Sequence, residues 1–267
     1  MNSPPAPSAL LSPWAETVRR HDPDRFLTAL FAPPPKRDTL LLLYAFNHEL
    51  ARAREVVSEP MLALIRLQWW REVIEGERKR HELATPLSDA LDLGQLDRGD
   101  LLAMLNARDL EAEPSMPDRA TFLRYLDGTA GTLAVAAARL LGAEEPEQVR
   151  ASGRAYGMAG QLRSVVALAS QGRCQLPEDL LKAQGICIHD VIAEPHSDAL
   201  RPVVTQLAAE GIGWLDGAQK RPPRAQIAAA LPGVLARRDL RRPFALPGPR
   251  GLGDKLAVLA AAFGAGI

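Results

Sequence analysis

The chain has 267 residues, of which 47% are hydrophobic and 24% are charged. This composition is typical of a globular protein and excludes both a fibrous repeat and a wholly disordered chain. The 32 lysines and arginines are balanced by 32 acidic residues, which argues against a protein that coats nucleic acid through a basic surface. We therefore expect no nucleic-acid partner.

The N-terminal stretch is rich in proline, reading MNSPPAPSALLSPW, and it has no early cationic residue and no continuous apolar core. It resembles neither a secretory signal nor an organelle transit peptide. We predict a flexible N-terminus over residues 1–20 and a single helical domain over residues 21–267.

Helical periodicity dominates the rest of the chain, and no alternating run of β-branched residues predicts a sheet. The first strong helix is predicted between the proline run that ends at Pro35 and the next breaker, Pro60. The second follows at once and places Ile65, Trp69 and Val73 on an apolar stripe. Further helices are predicted over residues 87–93, 97–111, 118–141, 146–172, 197–219, 224–238 and 252–264. The predicted fold class is all-α, a helical bundle.

Residues 128–138 have unusually small side chains. Two helices can approach closely at such a segment, or a cavity can remain beside it, and close packing alone is the favoured interpretation. We also predict a persistent cavity between this segment and the helix over residues 44–55. The cavity is expected to be mostly apolar, with a basic mouth formed by Arg52 or Arg54.

The two cysteines, Cys174 and Cys187, are too few for a disulfide scaffold and lack the spacing of a zinc site. Both are predicted to lie in the core of a protein from a reducing, cytoplasmic compartment. The stretch around Cys187 also contains His189, Asp190 and His196, but this region is predicted to be a loop without a metal.

Four sequence motifs occur in a fixed order along the chain. They are Tyr44-Ala-Phe-Asn-His-Glu-Leu-Ala-Arg, Ile65-Arg-Leu-Gln-Trp-Trp-Arg, Tyr125-Leu-Asp-Gly-Thr-Ala-Gly-Thr, and Gly157-Met-Ala-Gly-Gln-Leu leading to Gly172-Arg-Cys-Gln-Leu-Pro. Together they resemble the squalene/phytoene synthase family. The resemblance implies a helical bundle of the isoprenoid synthase type, in which two Asp-x-x-x-Asp motifs on facing helices hold Mg²⁺ ions against a prenyl diphosphate.

The first of these metal motifs is degenerate in this chain. Aligning Tyr44-Ala-Phe with the family places Ala51 and Glu55 at the two aspartates, with Arg52 and Arg54 between them. An arginine about 4 Å from a divalent cation repels it by about 8 kcal/mol at an effective dielectric constant of about 20. If Arg54 faces the cavity, that repulsion opposes whatever the remaining carboxylate offers.

The second motif is degenerate as well. Gln161 matches the family, but Ser164, Ala167 and Leu168 occupy positions where the resemblance requires polar or acidic residues, and the following stretch is about one helical turn shorter. Glu55 and Glu59 are four residues apart, yet Glu59 at a helix end is better explained as a solvated terminus. We therefore predict no catalytic residue, no metal and no cofactor, with Mg²⁺ needed only if the chain transfers prenyl groups.

The losses leave Ala-Phe-Asn-x-Glu-Leu-Ala and Val-Ser-Glu-Pro intact. This pattern is most similar to the non-catalytic branch of the family that contains mitochondrial complex I assembly factor 6 and its bacterial relatives. The resemblance implies a protein that acts by binding during assembly of the NADH:ubiquinone oxidoreductase, with a respiratory-complex subunit or a prenyl lipid as its partner. Two alternatives are a prenyltransferase with unorthodox ligands and a carrier of a prenyl lipid or quinone.

Five residues are candidates for lining the cavity or binding a ligand. They are Tyr44, Asn47, Arg66, Tyr125 and Gly131. Arg66 and the neighbouring tryptophans could bind an anion, but a helix that packs its tryptophans inward and extends its arginines outward explains them better.

The C-terminal third contains a basic stretch followed by an apolar one. Seven cations lie between Lys220 and Arg242 against one acid, Asp239, and residues 256–267 read LAVLAAAFGAGI. No apolar run is long enough to span a bilayer. We interpret the two stretches as a solvated helix face and a buried terminal helix. The alternative is peripheral contact with an anionic surface at the inner membrane.

Overall fold

The computed structural model of the protein describes residues 11–57, 59–113, 115–218, 222–245 and 248–264. Within these ranges the regular structure is helical, apart from one isolated β-bridge between Met116 and Pro177. The predicted all-α fold class is confirmed. Residues 1–10 of the predicted flexible N-terminus lie outside the described ranges.

Fifteen α-helices follow one another along the described parts of the chain. They are α1 Pro13–His21, α2 Pro23–Ala29, α3 Pro34–Glu55, α4 Pro60–Glu75, α5 Ala84–Asp92, α6 Arg98–Arg108, α7 Arg119–Leu126, α8 Thr132–Leu140, α9 Arg150–Ala169, α10 Glu178–Ala183, α11 Ile188–Ala193, α12 Arg201–Asp216, α13 Ile227–Ala230, α14 Pro232–Leu240 and α15 Leu252–Phe263. A 3₁₀ turn, Asp109–Ala112, extends α6, and a π-helical segment, Asp127–Gly131, joins α7 to α8.

Local sequence signals explain where many of these helices begin. Proline occupies the first turn of α1, α2, α3 and α4, where its missing N–H group leaves no hydrogen bond unmade. Side-chain oxygens of Ser12, Asp22, Asp97 and Asp118 accept hydrogen bonds from the first-turn backbone of α1, α2, α6 and α7. Helix α4 ends at Gly76, whose φ of 120° is strained for any other residue.

The buried apolar side chains form two clusters. One surrounds α3 and includes residues from α1, α4, α5, α6 and α8. The other surrounds α9 and includes residues from α7, α12, α14 and α15. Helices α3 and α9 are therefore the central elements of the two halves, and the surface between them is where the sequence placed its two degenerate motifs.

Several expectations from the sequence are wrong in detail. Residues 13–20, which were predicted to be flexible, belong to α1, which packs against α3 and buries Ala15 and Val18. Cys174 is buried as predicted, but Cys187 is exposed at the start of α11. This region is a short helix rather than a loop, and Asp190 accepts a hydrogen bond from the Cys187 backbone N–H at 2.8 Å, which gives the acid a capping role.

The orientation of two helices also differs from the prediction. Ile65 is exposed, because α4 turns Leu67, Trp70, Val73 and Ile74 towards the core. The C-terminal helix α15 buries only the small inner face formed by Val258, Ala261 and Ala262. Leucines and a phenylalanine of α15 remain exposed, so the helix is not the buried element that was predicted. None of the described helices combines the length and apolar character needed to cross a bilayer.

Candidate functional site

A cleft of about 330 Å³ lies between α3, α9 and the π-helical segment. Its position agrees with the predicted cavity, since Ala51 and Glu55 form one wall while Thr129 and Ala130 form another. The predicted apolar lining is wrong. Arg25, Arg108, Arg163 and Arg173 all line the cleft, together with acidic, amide and histidine side chains.

The small residues beside the cleft bring two backbones into close contact. A Cβ atom added at Gly153 of α9 would lie 2.4 Å from the carbonyl oxygen of Ala130 and 2.6 Å from the Cβ of Ala134. At Gly157 an added Cβ would lie 2.7 Å from the Cβ of Ala130. The close-packing interpretation of residues 128–138 is therefore confirmed, and the cleft opens beside this contact.

The first degenerate motif contributes two of its four residues to the cleft. Ala51 and Glu55 line it from α3, one turn apart. Arg52 and Arg54 do not: Arg52 donates to Glu49 at 3.0 Å, and Arg54 donates to the carbonyl of Val57 at 2.8 Å. The predicted basic mouth of Arg52 or Arg54 is wrong, and so is the assumption that Arg54 faces the cavity.

The second degenerate motif lies across the cleft on α9. Gln161, Ser164 and Leu168 line the cleft, whereas Ala167 points outward and is exposed. The structure thus brings the two motif regions to the same cavity, although Glu55 and Gln161 are 106 residues apart in sequence.

The other five candidate residues divide into two groups. Asn47 and Tyr125 line the cleft. Tyr44 is buried behind it, with the guanidinium of Arg25 5.8 Å from its ring centroid. Arg66 lies outside the cleft, 3.9 Å from the carboxylate of Glu49, and Gly131 packs against Arg150 and Arg154 of α9.

A buried hydrogen-bond network forms one side of the cleft. Arg108 and the hydroxyl of Tyr125 both donate to Glu111 Oε1, at 2.6 and 2.5 Å. Arg108 also donates to Asn47 Oδ1 at 3.3 Å, and Gln161 Nε2 donates to the Tyr125 hydroxyl at 3.4 Å. The network joins side chains from α3, α6, α7 and α9, and it fixes their positions around the cleft.

The charges in this network stabilise one another. Burial alone would lower the pKa of Arg108, but the adjacent Glu111 outweighs it and raises that pKa. Burial, reinforced by Glu111, raises the pKa of Tyr125, so its hydroxyl stays protonated and donates. Arg108 and Glu111 are three residues apart, a spacing equally common on solvated helix faces. Arg108 and Glu111 were not predicted as site residues, because that spacing gives no sign of burial.

Other polar groups in the cleft have fewer partners. His48 Nε2 and Gln161 Oε1 are buried and make no hydrogen bond within the described part of the chain. Burial, reinforced by the stacked ring of His21, lowers the pKa of His48. Burial lowers the pKa of Arg173. Burial raises the pKa of Glu55, and the nearby Glu111 raises the pKa of Glu55 further. These four groups are available to a bound polar molecule.

The residues of the cleft do not fit a magnesium cluster. Among the described residues three carboxylates line it, but Asp22 is paired with Arg25 at 2.7 Å and Glu111 with Arg108 at 2.6 Å, which leaves Glu55 without an ion pair. Across the described ranges, no group of three or more His, Cys, Asp or Glu side chains could hold a metal ion. Hard divalent cations need several oxygen ligands, so no step that relies on Mg²⁺ is derived for this site.

Sequence comparisons give the same family for most of the chain. The squalene/phytoene synthase profile matches residues 18–245. Human NADH dehydrogenase (ubiquinone) complex I, assembly factor 6 is 25% identical over 207 residues, which cover 73% of this chain and 61% of the human protein. The chain thus spans less than two thirds of the length of that relative.

Two further similarities concern proteins named as synthases. Presqualene diphosphate synthase from Rhodopseudomonas palustris is 26% identical over 210 residues, 74% of each chain. The crystal structure of a dehydrosqualene synthase in complex with ligand is 16% identical, with a TM-score of 0.77 over 94% of each chain. At that identity the structural likeness shows the fold, which is that of the isoprenoid synthases.

Proposed function

The chain belongs to the squalene/phytoene synthase family, and we propose that it acts by binding rather than by prenyl transfer, in the assembly of a respiratory complex. One observation carries this proposal: among the described carboxylates that line the cleft, only Glu55 is free of an ion pair. Ionising a prenyl diphosphate by the family's mechanism needs clustered metal ions to neutralise the leaving group. A single carboxylate beside Arg108 and Arg173 does not supply enough ligands for such metal ions.

The relatives support the assembly role. Human and bovine proteins named complex I assembly factor 6 are 25% and 26% identical to this chain over 207 residues. We propose that the chain binds a subunit of the NADH:ubiquinone oxidoreductase, or an assembly intermediate of it. The locked network of Arg108, Glu111 and Tyr125 suits this role, because it maintains a rigid scaffold rather than a site that must rearrange around metal ions.

Prenyl transfer is the second candidate, and one observation favours it. The similarity to presqualene diphosphate synthase is at least as high in identity and covers 74% of both proteins. A role as a prenyl-lipid carrier has weaker support, because the cleft is lined by polar and charged groups that would be desolvated by a hydrocarbon chain.

A turnover assay separates binding from prenyl transfer. The purified chain is mixed with farnesyl diphosphate and Mg²⁺, and pyrophosphate release is measured beside the Rhodopseudomonas palustris enzyme as a positive control. We expect no metal-dependent release above the uncatalysed rate. Enzyme-like release that is abolished by Glu55→Gln would overturn the binding proposal and establish the second candidate.

A genetic test addresses the assembly role. The gene is deleted in the organism that encodes it, and membranes are analysed by native electrophoresis with staining for NADH dehydrogenase activity. We expect the assembled complex to decrease and to return when the wild-type gene is restored. Unchanged complex in the deletion strain would contradict the proposal, and rescue by presqualene diphosphate synthase would favour a prenyl product instead.

A further inference from the structure

The outward face of α15 is apolar, although it lies on the protein surface. Among the described residues, thirteen large apolar side chains are exposed, and four of them lie on this helix. Leu252, Leu256, Leu259 and Phe263 are exposed by 73, 52, 45 and 65%. Their spacing of four, three and four residues places them on one stripe, about 16 Å long at 1.5 Å per residue.

The inner face of the same helix is already used. Val258, Ala261 and Ala262 pack into the cluster around α9. Asp254 points towards α14, where Arg238 donates to it at 2.5 Å. The contact fixes the rotation of α15 about its axis, so the leucine stripe cannot turn inward without breaking both the apolar packing and this ion pair.

Unpaired cations accompany the stripe. Lys255 lies on the outer side of α15 and is exposed, and the guanidinium of Arg224 lies 5.4 Å from the ring centroid of Phe263. Arg241 and Arg242, at the end of α14, are also exposed. None of these four forms an ion pair within the described ranges, whereas Arg237 and Arg238 are paired with Asp216 and Asp254.

No unpaired acid lies in the same C-terminal ranges of the chain. Over residues 222–245 and 248–264 the acids are Asp239 and Asp254. Asp239 is paired with Arg250 and Arg163, and Asp254 with Arg238. Helix α15 and the stretch that precedes it therefore combine an apolar stripe with four cations that form no ion pair within the described ranges.

We propose that α15 is a docking surface for an anionic lipid bilayer, in which the stripe enters the headgroup region while Lys255, Arg224, Arg241 and Arg242 contact lipid phosphates. An interfacial helix needs this combination of an apolar face and flanking cations. The charge selects an anionic surface over a second copy of this chain, because two copies facing each other would bring eight unpaired cations together. This inference is independent of the cleft and of the assembly role.

A second exposed apolar patch provides a matched control. On α4, Met61, Leu62 and Ile65 are exposed by similar fractions. The nearby cations Arg52 and Arg66 are paired with Glu49, and the acids Glu55 and Glu59 are exposed close to the patch in sequence. The α4 patch therefore matches α15 in apolar character but lacks the excess of positive charge.

The test measures flotation of the full chain with vesicles of phosphatidylcholine, alone or mixed with phosphatidylglycerol. We expect strong, salt-sensitive binding to the anionic vesicles only. Leu256→Ser/Leu259→Ser should weaken it about tenfold or more, and Arg241→Gln/Arg242→Gln about fivefold for each cation in phosphate contact. All four side chains are exposed, so thermal unfolding followed by circular dichroism should be unchanged.

Met61→Ser/Ile65→Ser is the control variant and should bind the anionic vesicles like the wild type. Equal binding by the wild type and Leu256→Ser/Leu259→Ser would overturn the proposal. So would equal binding to neutral and anionic vesicles, or an equal loss in the α4 control. If the chain does not bind vesicles and size-exclusion chromatography with light scattering shows a dimer that Leu256→Ser/Leu259→Ser dissociates, the stripe is an interface between copies and the proposal is wrong.

Discussion

The cleft beside α9 buries polar side chains, whereas the outer face of α15 exposes apolar ones. Both arrangements depart from the usual distribution, in which polar groups are solvated and large apolar groups are covered. In the cleft, Arg108, Glu111 and Tyr125 satisfy one another, so charge is neutralised inside the protein. At α15, Lys255 and its neighbouring arginines are left for a partner to neutralise.

This difference indicates what each region can bind. A locked network favours a ligand or protein surface that fits its existing shape, because rearranging buried hydrogen bonds is costly. An exposed stripe with flanking cations requires little shape complementarity and suits an extended anionic surface. The two regions are connected through Arg250, which precedes α15 and bonds to Asp24 and Asp239; both acids also lie near Arg163 of the cleft.

Removing Arg250, which connects the two regions, should have the largest effect on stability. Arg250 donates to Asp24 and Asp239, each at 2.6 Å, and all three side chains are mostly buried. Arg250→Ala would leave two buried carboxylates with Arg163 as the nearby cation and with the Tyr156 hydroxyl, which donates to Asp24 at 3.0 Å. We expect the free energy of unfolding, measured by urea denaturation, to fall by about 3–5 kcal/mol.

Arg78→Ala is the control for this variant. Arg78 also bridges two aspartates, Asp89 and Asp92, but all three side chains are about half exposed. We expect a much smaller loss than for Arg250→Ala, because solvent screens exposed pairs. Similar losses in the two variants would show that Arg250 does not anchor the segment before α15.

A substitution in the hydrogen-bond network of the cleft should have the next largest effect on stability. Glu111→Gln keeps the shape of the side chain but leaves Arg108 buried without its counter-charge. We expect a loss of about 2–4 kcal/mol in the same denaturation experiment. Glu113→Gln, two residues away and exposed, should change stability by less than about 0.5 kcal/mol. A loss below 1 kcal/mol for Glu111→Gln would mean that Arg108 is solvated.

The smallest effect concerns the pH dependence of stability, and its sign should differ between the two regions. Glu55 has a pKa raised above about 4.5 by burial and by Glu111, so its contribution to stability is lost as pH rises through the folded pKa. For Asp24, burial would raise the pKa, but hydrogen bonds from Arg250 lower it below about 3.8. That contribution is present above about pH 3.8 and is lost as pH falls through the folded pKa.

Glu55→Gln tests the cleft side of this difference. The variant should be slightly more stable than the wild type at neutral pH, by less than about 0.5 kcal/mol, because the side chain is only partly buried at the cleft mouth. Below about pH 4 the two proteins should be equally stable. Urea denaturation across pH 3–8 measures both; a variant that is less stable at neutral pH would contradict the raised pKa.

Local chemistry made the helices predictable. Prolines at the start of α3 and α4, together with apolar periodicity, predicted both helices closely. The spacing of the first degenerate motif correctly placed Ala51 and Glu55 one turn apart on a helix, and its resemblance to the family indicated the facing helix around Gln161. These features depend on contacts within one or two turns of a helix, and the spacing of residues in the sequence predicts such contacts directly.

The chemistry of the cleft could not be predicted in the same way. Arg108 and Asn47 are 61 residues apart, and Arg52 and Arg54 turned away from the cavity to bond Glu49 and a backbone carbonyl. A charged residue on a helix has the same local pattern whether it faces solvent or a buried acid. Burial by other helices decides between these outcomes, and it also set the polar lining that replaced the expected apolar one.

By itself the sequence determined an all-α chain, the order of its helices and the loss of two carboxylate motifs, because helix formation and residue identity are local properties. Only the tertiary structure decided which face of α15 is covered. Both faces of that helix are apolar, and its periodicity cannot distinguish them. The packing of Val258, Ala261 and Ala262 against the α9 cluster, together with the bond from Arg238 to Asp254, turned the small side chains inward and left the leucines exposed.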